Sequence, residues 1–584
     1  MASTTTTTST TETAQPVLPS LDTVPVVQPA PETKLHGRAF YESIGSPKHI
    51  IAPMVDQSEF AWRMLSRTFL PPSERRSILA YTPMLHARLF VESQRYRDTH
   101  FQAIRPSSTT SPDAPQQLPQ PVPWLDGNPA IDRPLIVQFC ANEPTHLLEA
   151  AKLVAPYCDA VDLNLGCPQG IARKGHYGAF LQEDQALIHS LIKTLHDNLP
   201  VPVTAKIRVL ETREATLAYA RNVLAAGASI LTVHGRRREQ KGHLTGLADW
   251  EHIRYLRENL PAETVLFANG NVLRREDVEK CLRATGADGV MSAEGHLSDP
   301  AIFGRVPEPG EGGREYWRGK DGRGGWRVDA VVRRYFDVLH RYVYEREPPV
   351  RRPLFVVGDD TAWLEEKRDE EDGQPAKKKR KQEAVGGTDR KKKEEMTAGS
   401  PNLVSVQGHL FHLLRHFVSR HHDVRDALAR ARAGDMDKFE AILDMIERKV
   451  AEGLLEYERT GDAGGMDEPA PTDADDDYYD PDSSEKAVRI CKRPWWVAQP
   501  IIRPVPKEAM AKGAIQPKRE KGTPRNKQKK GAATAVTAEL TENGSGSGDV
   551  ARMGEDGKTP GEKLGSEESL ERKTSFPQSE LVSG

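Results

Sequence analysis

Residues 160–169 of the chain read Ala-Val-Asp-Leu-Asn-Leu-Gly-Cys-Pro-Gln, an apolar run that leads into a turn. The part of the run up to Leu163 has the length and composition of a fully buried strand. Gly166 and Pro168 then predict a tight turn, because glycine permits unusual backbone angles and proline fixes its own. The segment therefore predicts a buried strand that presents the side chain of Cys167 beyond its carboxyl end.

Seven further apolar runs resemble this strand, and helix-like segments separate successive runs. The eight strand candidates are His49–Ala52, Ile78–Thr82, Leu135–Phe139, Ala160–Leu163, Val203–Ile207, Ile230–Val233, Val265–Ala268 and Gly289–Met291. Eight strands that alternate with helices over about 260 residues are typical of a (β/α)8 TIM barrel. An open doubly wound sheet is the alternative, but it needs a Gly-rich turn after its first strand. Ala52-Pro53-Met54 stands there instead, so we favour the barrel.

The composition predicts that folded domains alternate with disordered segments. Only 37% of the 584 residues are hydrophobic, whereas an average globular chain has roughly 45–50%. The predicted fold class is α/β, a TIM barrel followed by a small all-α domain, with disordered tails. The predicted division is a disordered tail (1–45), the barrel (46–305, with a Pro-rich surface insertion at 105–133), a helical domain (326–460, with a charged insertion at 367–396), an acidic linker (461–486), a Pro-Trp-Trp segment packed on the body (487–506) and a basic, then polar, disordered tail (507–584).

Several classes of protein are excluded by composition. No run reaches the roughly 18–20 consecutive apolar residues of a membrane span, and the Ser/Thr-rich start does not resemble a secretory signal. The five cysteines show no CxxC pair and no zinc-site spacing, which indicates a reducing compartment and no metal site. Because the net charge is −3, any nucleic-acid binding must come from local basic patches.

Residues able to bind a ligand recur at the carboxyl ends of the predicted strands, where barrel active sites lie. They are Gln138, Asn164, Lys206, His234, Asn269, Gly270, Asn271, Ala293 and Glu294. Amides and a cation suit the polar edge of an isoalloxazine ring, and Gly270 and Gly295 leave backbone N–H groups open to a phosphate. Flavin mononucleotide (FMN) is consistent with this set, although composition alone names no ligand. Taken singly, Lys206 and His234 are equally well interpreted as caps of the barrel mouth.

Cys167 is the candidate catalytic residue. A lone cysteine is more often a small buried hydrophobe than a catalyst, but a Gly-Cys-Pro turn after a barrel strand favours catalysis. A thiol has an ordinary pKa of about 8.5 and is mostly protonated near neutral pH. Cys167 can therefore serve as a general acid.

Several motifs together resemble the tRNA-dihydrouridine synthase family. They are Asp162–Gln169, Ala52-Pro53-Met54, Lys206-Ile207-Arg208, Val233-His234-Gly235-Arg236 and Ala268-Asn269-Gly270-Asn271. The longer run from Asp162 to Leu181 is similar to the eukaryotic branch that modifies positions 16 and 17 of the tRNA D-loop, as is Arg493-Pro-Trp-Trp-Val-Ala-Gln-Pro500. The resemblance covers the predicted barrel, the helical region and the Pro-Trp-Trp segment.

The resemblance implies an FMN-dependent oxidoreductase that reduces uridine in tRNA to 5,6-dihydrouridine, with NAD(P)H as a transient reductant. It implies that the flavin delivers hydride to uracil C6 and that Cys167 protonates C5. The implied flavin contacts are Pro53, Met54, Val55, Gln138, Lys206, His234, Asn269, Gly270, Asn271, Ala293 and Glu294. No G-x-G-x-x-G motif follows a strand, which fits a nicotinamide that visits the flavin without a Rossmann module.

RNA binding requires the target base to leave its stack and positive charge to lie near the pocket. The candidate contacts are Asn164, Arg173, Lys174, His176, Arg236, Arg237 and Arg238. Without regard to the predicted site, the three arginines would be interpreted as part of a solvent-exposed loop.

Two C-terminal features have alternative interpretations. For Trp495-Trp496 we favour packing on the folded body over stacking on RNA. Lys377–Lys381 resembles a nuclear-import cluster, although such clusters also arise by chance, so cytoplasmic and nuclear locations both stay open.

Two other functions stay open from the residues alone. A barrel flavoenzyme acting on a free pyrimidine would share the site, but the Arg-rich loops and the helical domain argue against it. A tRNA-binding protein with a retired active site is the second, and the joint presence of Cys167, Lys206, His234 and Asn269 argues against that. We expect the protein to be a monomer that acts on tRNA and binds neither a membrane nor a metal.

Overall fold

The computed structural model describes residues 34–106, 122–320, 324–365, 399–462, 480 and 482–511. Eight parallel strands, labelled β1 to β8 in chain order, form its centre. They are β1 (His49–Ile51), β2 (Ile78–Tyr81), β3 (Leu135–Cys140), β4 (Ala160–Leu165), β5 (Val203–Arg208), β6 (Ile230–His234), β7 (Val265–Asn269) and β8 (Gly289–Ser292). Almost every residue in them is buried, because both faces of each strand are covered.

Strand pairing closes this sheet into a barrel. From β3 to β8 each strand pairs in parallel with the next along the chain. Strand β1 pairs with both β2 and β8, and β2 pairs with β3 through Ala80 and Leu135. A two-residue strand, Leu85–His86, extends the pairing at the end of β3. The predicted TIM barrel is confirmed, and the open doubly wound alternative is wrong.

Helices cover the outside of the barrel between successive strands. They are Phe60–Arg67, Ala87–Glu92, Gln94–His100, Pro144–Val154, Gly170–Gly175, Gln185–Asn198, Arg213–Ala225, Trp250–Asn259, Arg275–Thr285 and Glu294–Ser298, with 3-10 turns at Pro72–Ser77, Ala155–Tyr157, Gly178–Leu181 and Gly242–Leu244. Asp184, Thr212 and Asp249 each accept a backbone N–H at the start of a helix. Such caps satisfy donors that have no partner inside the helix.

Several strands extend one or two residues past their predicted ends. Strand β4 ends at Leu165 instead of Leu163, and β6 ends at His234 instead of Val233. Asn164 therefore lies inside β4 and does not follow it. A polar side chain does not end a strand when its backbone groups continue the ladder of hydrogen bonds.

A group of helices follows the barrel and packs against it. Its elements are the hairpin strands Tyr316–Arg318 and Gly324–Trp326, the helices Val328–Val338, Ala362–Glu365, Pro401–Val404, Val406–Leu413, Arg415–Arg420, His422–Arg430 and Met436–Thr460, and a π-helical turn at Leu339–Val343. Apolar side chains of the barrel and of these helices form one continuous core. At the junction, the Trp62 ring stacks on His409 with 3.8 Å between ring centroids. The predicted helical region is present, but it shares its core with the barrel.

Folding begins earlier in the chain than composition predicts. Helix Gly37–Ser43 lies within the segment 1–45 that was expected to be a tail. Phe40 and Tyr41 are buried in the barrel core, and the Tyr41 ring lies edge-on to Phe267 with 5.8 Å between centroids. The prediction is wrong for this helix, because a composition average over a Thr/Pro-rich tail hides two aromatic residues at its end.

Part of the predicted surface insertion at 105–133 is buried. In residues 122–133, the Asp132 side chain is fully buried, and its carboxylate pairs with Arg63 at 2.5 Å and Arg67 at 2.6 Å. The surface interpretation is wrong for these residues, because a buried, paired charge looks like a surface charge in a sequence.

Several predicted segments lie outside the described residues. These are most of the first tail, the Lys377–Lys381 cluster with its insertion at 367–396, most of the acidic linker and the residues after 511. Two short helices, Glu485–Cys491 and Pro506–Ala511, lie in the described C-terminal part. Within the ranges that the structure covers, no helix is long and apolar enough to cross a membrane.

Candidate active site

The predicted polar residues converge at one end of the barrel. Gln138, Asn164, Lys206, His234 and Asn269 lie at or near the carboxyl ends of β3 to β7. Strand register places Asn164 beside Lys206 and His234 beside Asn269. All five residues are more than nine-tenths buried. They therefore form one buried polar site.

A chain of hydrogen bonds connects the barrel interior to the turn that carries Cys167. Thr204 Oγ1 donates to Asp162 Oδ1 at 2.6 Å, and Gln138 Nε2 donates to Asp162 Oδ2 at 2.8 Å. Asn164 Nδ2 donates to Gln138 Oε1 at 2.8 Å. Asn164 Oδ1 accepts the backbone N–H of Cys167 at 2.9 Å. An ionised carboxylate only accepts, so Asp162 sets the orientation of both amides and, through them, of the turn.

Asp162 was missing from the predicted site residues. Burial raises the pKa of its carboxyl to about 6, although hydrogen bonds from Thr204 and Gln138 act to lower it. A carboxylate inside an apolar strand was the available signal, because buried polar groups need partners. Both carboxylate oxygens bond to protein donors, so Asp162 positions other side chains.

Asn164 was predicted as a substrate contact, and its observed role is structural. The amide bonds to Gln138 at one end and to the backbone N–H groups of Gly166 and Cys167 at the other. Asn164 therefore holds the cysteine turn, and contact with substrate stays a prediction.

The Cys167 side chain is partly exposed at the barrel mouth. Burial raises the pKa of the thiol above its ordinary value, while the nearby charges of Arg208 and Lys206 act to lower it. The thiol is therefore protonated at neutral pH and can donate a proton. Gly178 packs against the turn with φ +64°, and a Cβ there would lie 2.8 Å from the Cys167 carbonyl oxygen. Only glycine leaves the turn this shape.

Buried cations surround the cysteine turn. Arg208, 1% exposed, donates from Nε to the Gly166 carbonyl at 2.6 Å, although it was not among the predicted site residues. Burial and the Arg208 charge lower the pKa of Lys206 to about 7. Burial, followed by the charges of Arg208 and Lys206, lowers the pKa of His234 well below its ordinary value, so the ring is neutral. At pH 7 Arg208 is therefore charged, Lys206 is about half protonated and His234 is neutral, and an anionic ligand would favour the protonated form of Lys206.

The loops after β6 to β8 line a small cavity beside these cations. Its lining includes Arg236, Asn269, Gly270, Asn271, Ala293 and Glu294. Asn269 Oδ1 and His234 Nδ1 are buried without a hydrogen-bond partner in the part of the chain that the structure describes. Buried polar atoms of this kind indicate a polar ligand. An isoalloxazine ring has donors and acceptors along its pyrimidine edge, so these residues fit a flavin.

Gly270 and Gly295 allow neighbouring loops to pack closely. A Cβ on Gly270, where φ is +111°, would lie 2.6 Å from the Cβ of Ala248. A Cβ on Gly295 would lie 2.4 Å from the carbonyl oxygen of Val272. This packing is sufficient reason for both glycines, and the predicted contact of their N–H groups with a phosphate stays a prediction.

Pro53, Met54 and Val55 follow β1 after one residue and lie at the same end of the barrel as the other predicted contacts. Pro53 and Met54 are buried, and Val55 is half-buried. The Met54 N–H donates to Ser58 Oγ at 3.0 Å, which fixes the backbone of this loop.

The predicted RNA contacts divide into two groups. Arg173, Lys174, His176 and Arg237 are exposed, as contact with RNA requires. The other two arginines hold loops together. Arg236 donates to Asn271 Oδ1 at 2.9 Å. Arg238 donates to the Ala179 carbonyl at 3.0 Å and pairs with Glu183 at 2.7 Å.

Comparison with known proteins assigns one family to the chain, because the family model and the similar relatives carry the same description. Residues 50–315 match the family model described as dihydrouridine synthase (Dus). The chain is 40% identical over 473 residues to "tRNA-dihydrouridine(16/17) synthase [NAD(P)(+)]" of Schizosaccharomyces pombe, across 81% of this chain and 92% of the relative. It is 53% identical over 306 residues to the protein of the same name from Saccharomyces cerevisiae, across 52% of this chain and 63% of the relative. A Mus musculus relative whose name adds "-like" is 47% identical over 285 residues, across 48% of this chain and 54% of the relative. With this similarity over nearly the whole length of the Schizosaccharomyces pombe relative, and with a barrel fold over the matched residues, the chain belongs to the dihydrouridine synthase family.

Proposed function

We propose that this protein reduces uridine to 5,6-dihydrouridine in the D-loop of tRNA, with FMN as bound cofactor and NAD(P)H as reductant. The name of the Schizosaccharomyces pombe relative supports both the reaction and positions 16 and 17. The observation that carries the proposal is the place of Cys167 at the barrel mouth, in a turn held by the hydrogen-bond chain from Asp162.

A flavin in this site would be held by the residues at the strand ends. When bound and reduced, it supplies the hydride that adds to uracil C6. Asn269 and His234 would bind its polar edge, because each has a buried atom without a partner in the described residues. Lys206 lies on the neighbouring strand with a pKa of about 7, so an anionic flavin would favour its protonated form, and Arg236 lines the neighbouring cavity.

Cys167 would complete the reduction as the proton donor. As uracil C6 gains a hydride, the thiol gives its proton to C5, so that the C5–C6 double bond becomes a single bond. The thiolate left behind is stabilised by the charges of Arg208 and Lys206, which act to lower the thiol pKa. Solvent then returns a proton to the sulfur, because Cys167 is partly exposed.

The test compares Cys167→Ala with Cys140→Ala in the full-length protein. Cys140 is a matched control, because it packs in the same apolar cluster as Cys167 but is 1% exposed. We expect both variants to keep flavin absorbance after gentle purification. We expect Cys167→Ala to lose at least about 100-fold in the rate of dihydrouridine formation in unmodified tRNA, since general acid catalysis contributes about 10²–10⁴-fold.

Three results would contradict the proposal. If the wild-type protein is purified without bound flavin, the proposed cofactor is wrong. Activity on free uracil without tRNA would identify a reductase of free pyrimidines instead. Unchanged dihydrouridine in cells that lack the protein would indicate a retired active site. Mapping dihydrouridine along tRNA in those cells also tests the assignment to positions 16 and 17.

A further inference from the structure

The C-terminal segment returns to the barrel mouth as a strap, which we define as residues 493–506. One end of the strap is fixed in the core. Trp496 is 1% exposed, and its ring lies edge-on to Trp317 with 5.9 Å between centroids. Val497 pairs with Arg327 in an antiparallel bridge. The packing interpretation favoured for the tryptophan pair thus agrees with the structure at Trp496.

The other end of the strap is also held. Helix Pro506–Ala511 packs on the turn Gly242–Leu244, which belongs to the loop after β6. Glu508 on this helix accepts the backbone N–H of Ser484 at 2.9 Å. Between these ends, Ile501, Ile502 and Arg503 line a pocket with Arg236, Asn271 and Glu294 of the barrel loops, so the strap crosses the barrel mouth.

The middle of the strap forms one wall of a cavity of about 560 Å³. The loop after β1, with Asp56 and Gln57, and helix Val406–Leu413 form the other walls, and Glu294 lies where the strap meets the barrel. Ligand pockets commonly have volumes of about 300–1,000 Å³, so this cavity can hold one nucleotide. Of the predicted flavin contacts, Glu294 alone lines it, so the cavity differs from the proposed flavin site.

Two arginines line this cavity, Arg503 from the strap and Arg415 from the helical region, and the charges of both act on His412. Arg503 Nε donates to Glu294 Oε2 at 2.8 Å, and its side chain is 31% exposed. Arg415 is exposed and lines the same cavity from the helical region. Burial lowers the pKa of His412 to about 4, with added effects from His409 and both arginines, so this wall is neutral apart from the guanidinium. Guanidinium groups bind phosphate with paired, charge-assisted hydrogen bonds.

We propose that Arg503 of the strap and Arg415 together bind a backbone phosphate of the RNA beside the target uridine. The inference rests on the proposed function and adds a binding residue from a segment far from the barrel in sequence. In the described structure Glu294 holds the Arg503 guanidinium at the barrel mouth, where a phosphate entering the cavity would meet it. A strap fixed at both ends holds this charge in place before RNA binds, which reduces the entropy lost on binding.

The test measures tRNA binding to the full-length holoenzyme carrying Arg503→Gln, Arg503→Lys or Arg415→Gln, at several salt concentrations. The control is Arg459→Gln, because Arg459 is 72% exposed and pairs with Glu456 on helix Met436–Thr460, away from the cavity. We expect each Gln variant to raise the Kd for tRNA about tenfold, as loss of a hydrogen bond to a charged group does. The slope of log affinity against log salt should fall by about one.

The Arg503→Lys variant distinguishes loss of a phosphate contact from misfolding, because it keeps the positive charge but loses the paired hydrogen bonds of the guanidinium. We expect it to bind tRNA more tightly than Arg503→Gln and to retain the wild-type Tm. An unchanged Kd and salt slope for Arg503→Gln would overturn the inference, as would loss of flavin from this variant, which would assign Arg503 to the cofactor. If wild-type protein bound no tRNA, the proposed function itself would fail, which is a distinct outcome.

Discussion

Replacing Asp162 by asparagine removes a buried negative charge while nearly preserving the shape of the side chain. Burial raises the pKa of this carboxyl from 3.8 to about 6. The folded protein therefore binds a proton that the unfolded chain has already lost between these pH values. The stability from this group is complete below about pH 4 and is lost as the pH rises through 6.

The magnitude follows from the size of the shift. About two pKa units correspond to about 3 kcal/mol, since one unit is worth about 1.4 kcal/mol. Roughly half of this lies above pH 5, so wild type should lose about 1 to 2 kcal/mol relative to Asp162→Asn between pH 5 and pH 8. At pH 8 we expect the variant to be at least as stable as wild type, because the ionised carboxylate is unfavourable in the barrel.

We expect Asp162→Asn to lower catalytic activity, although it does not lower stability at pH 8. The asparagine amide both donates and accepts, so it no longer forces Gln138 and Asn164 into one orientation. We expect turnover of tRNA to fall at least about tenfold, which corresponds to about 1.4 kcal/mol of transition-state stabilisation. A charge that is costly for stability but required for activity would explain why an acidic residue occupies this position.

The assay is urea unfolding at pH 5, 6, 7 and 8, with dihydrouridine formation measured on the same preparations. Thr204→Val is the matched control, because it removes the hydroxyl that donates to Asp162 Oδ1 at 2.6 Å but keeps the carboxylate. That hydrogen bond lowers the pKa of Asp162, and its loss in Thr204→Val should raise this pKa. The loss of unfolding free energy with rising pH should therefore occur at higher pH than in wild type. The same pH step in Asp162→Asn as in wild type would refute the reasoning.

Two further predictions concern tightly packed positions. Gly178→Ala should lower the rate of dihydrouridine formation without loss of flavin, because a Cβ would lie 2.8 Å from the Cys167 carbonyl oxygen and shift the thiol; equal rates in a turnover assay would contradict this. Trp496→Ala should lower the free energy of unfolding by about 3–5 kcal/mol, since it empties a buried site. Urea denaturation measures that loss, and a change below about 1 kcal/mol would show that the strap packs loosely.

The barrel strands and their polar ends were predictable because the signal is local. A fully buried parallel strand is a short apolar run, and its carboxyl end is marked by residues such as Asn164 and Asn269. The helix Gly37–Ser43 and the buried Asp132 were missed, because a composition average cannot separate a paired buried charge or a short aromatic helix from a polar tail.

The sequence by itself determined the order of the strands, the position of Cys167 and the family motifs around it, since each depends on residues close together in the chain. Only the tertiary structure decided which polar groups act on one another. Asp162 sets the orientation of Gln138 through a contact between two strands. Arg503 meets Glu294 from 209 positions away. Contacts between distant segments, and the burial that shifts a pKa, exist only after the chain has folded, because they depend on which surfaces the fold removes from water.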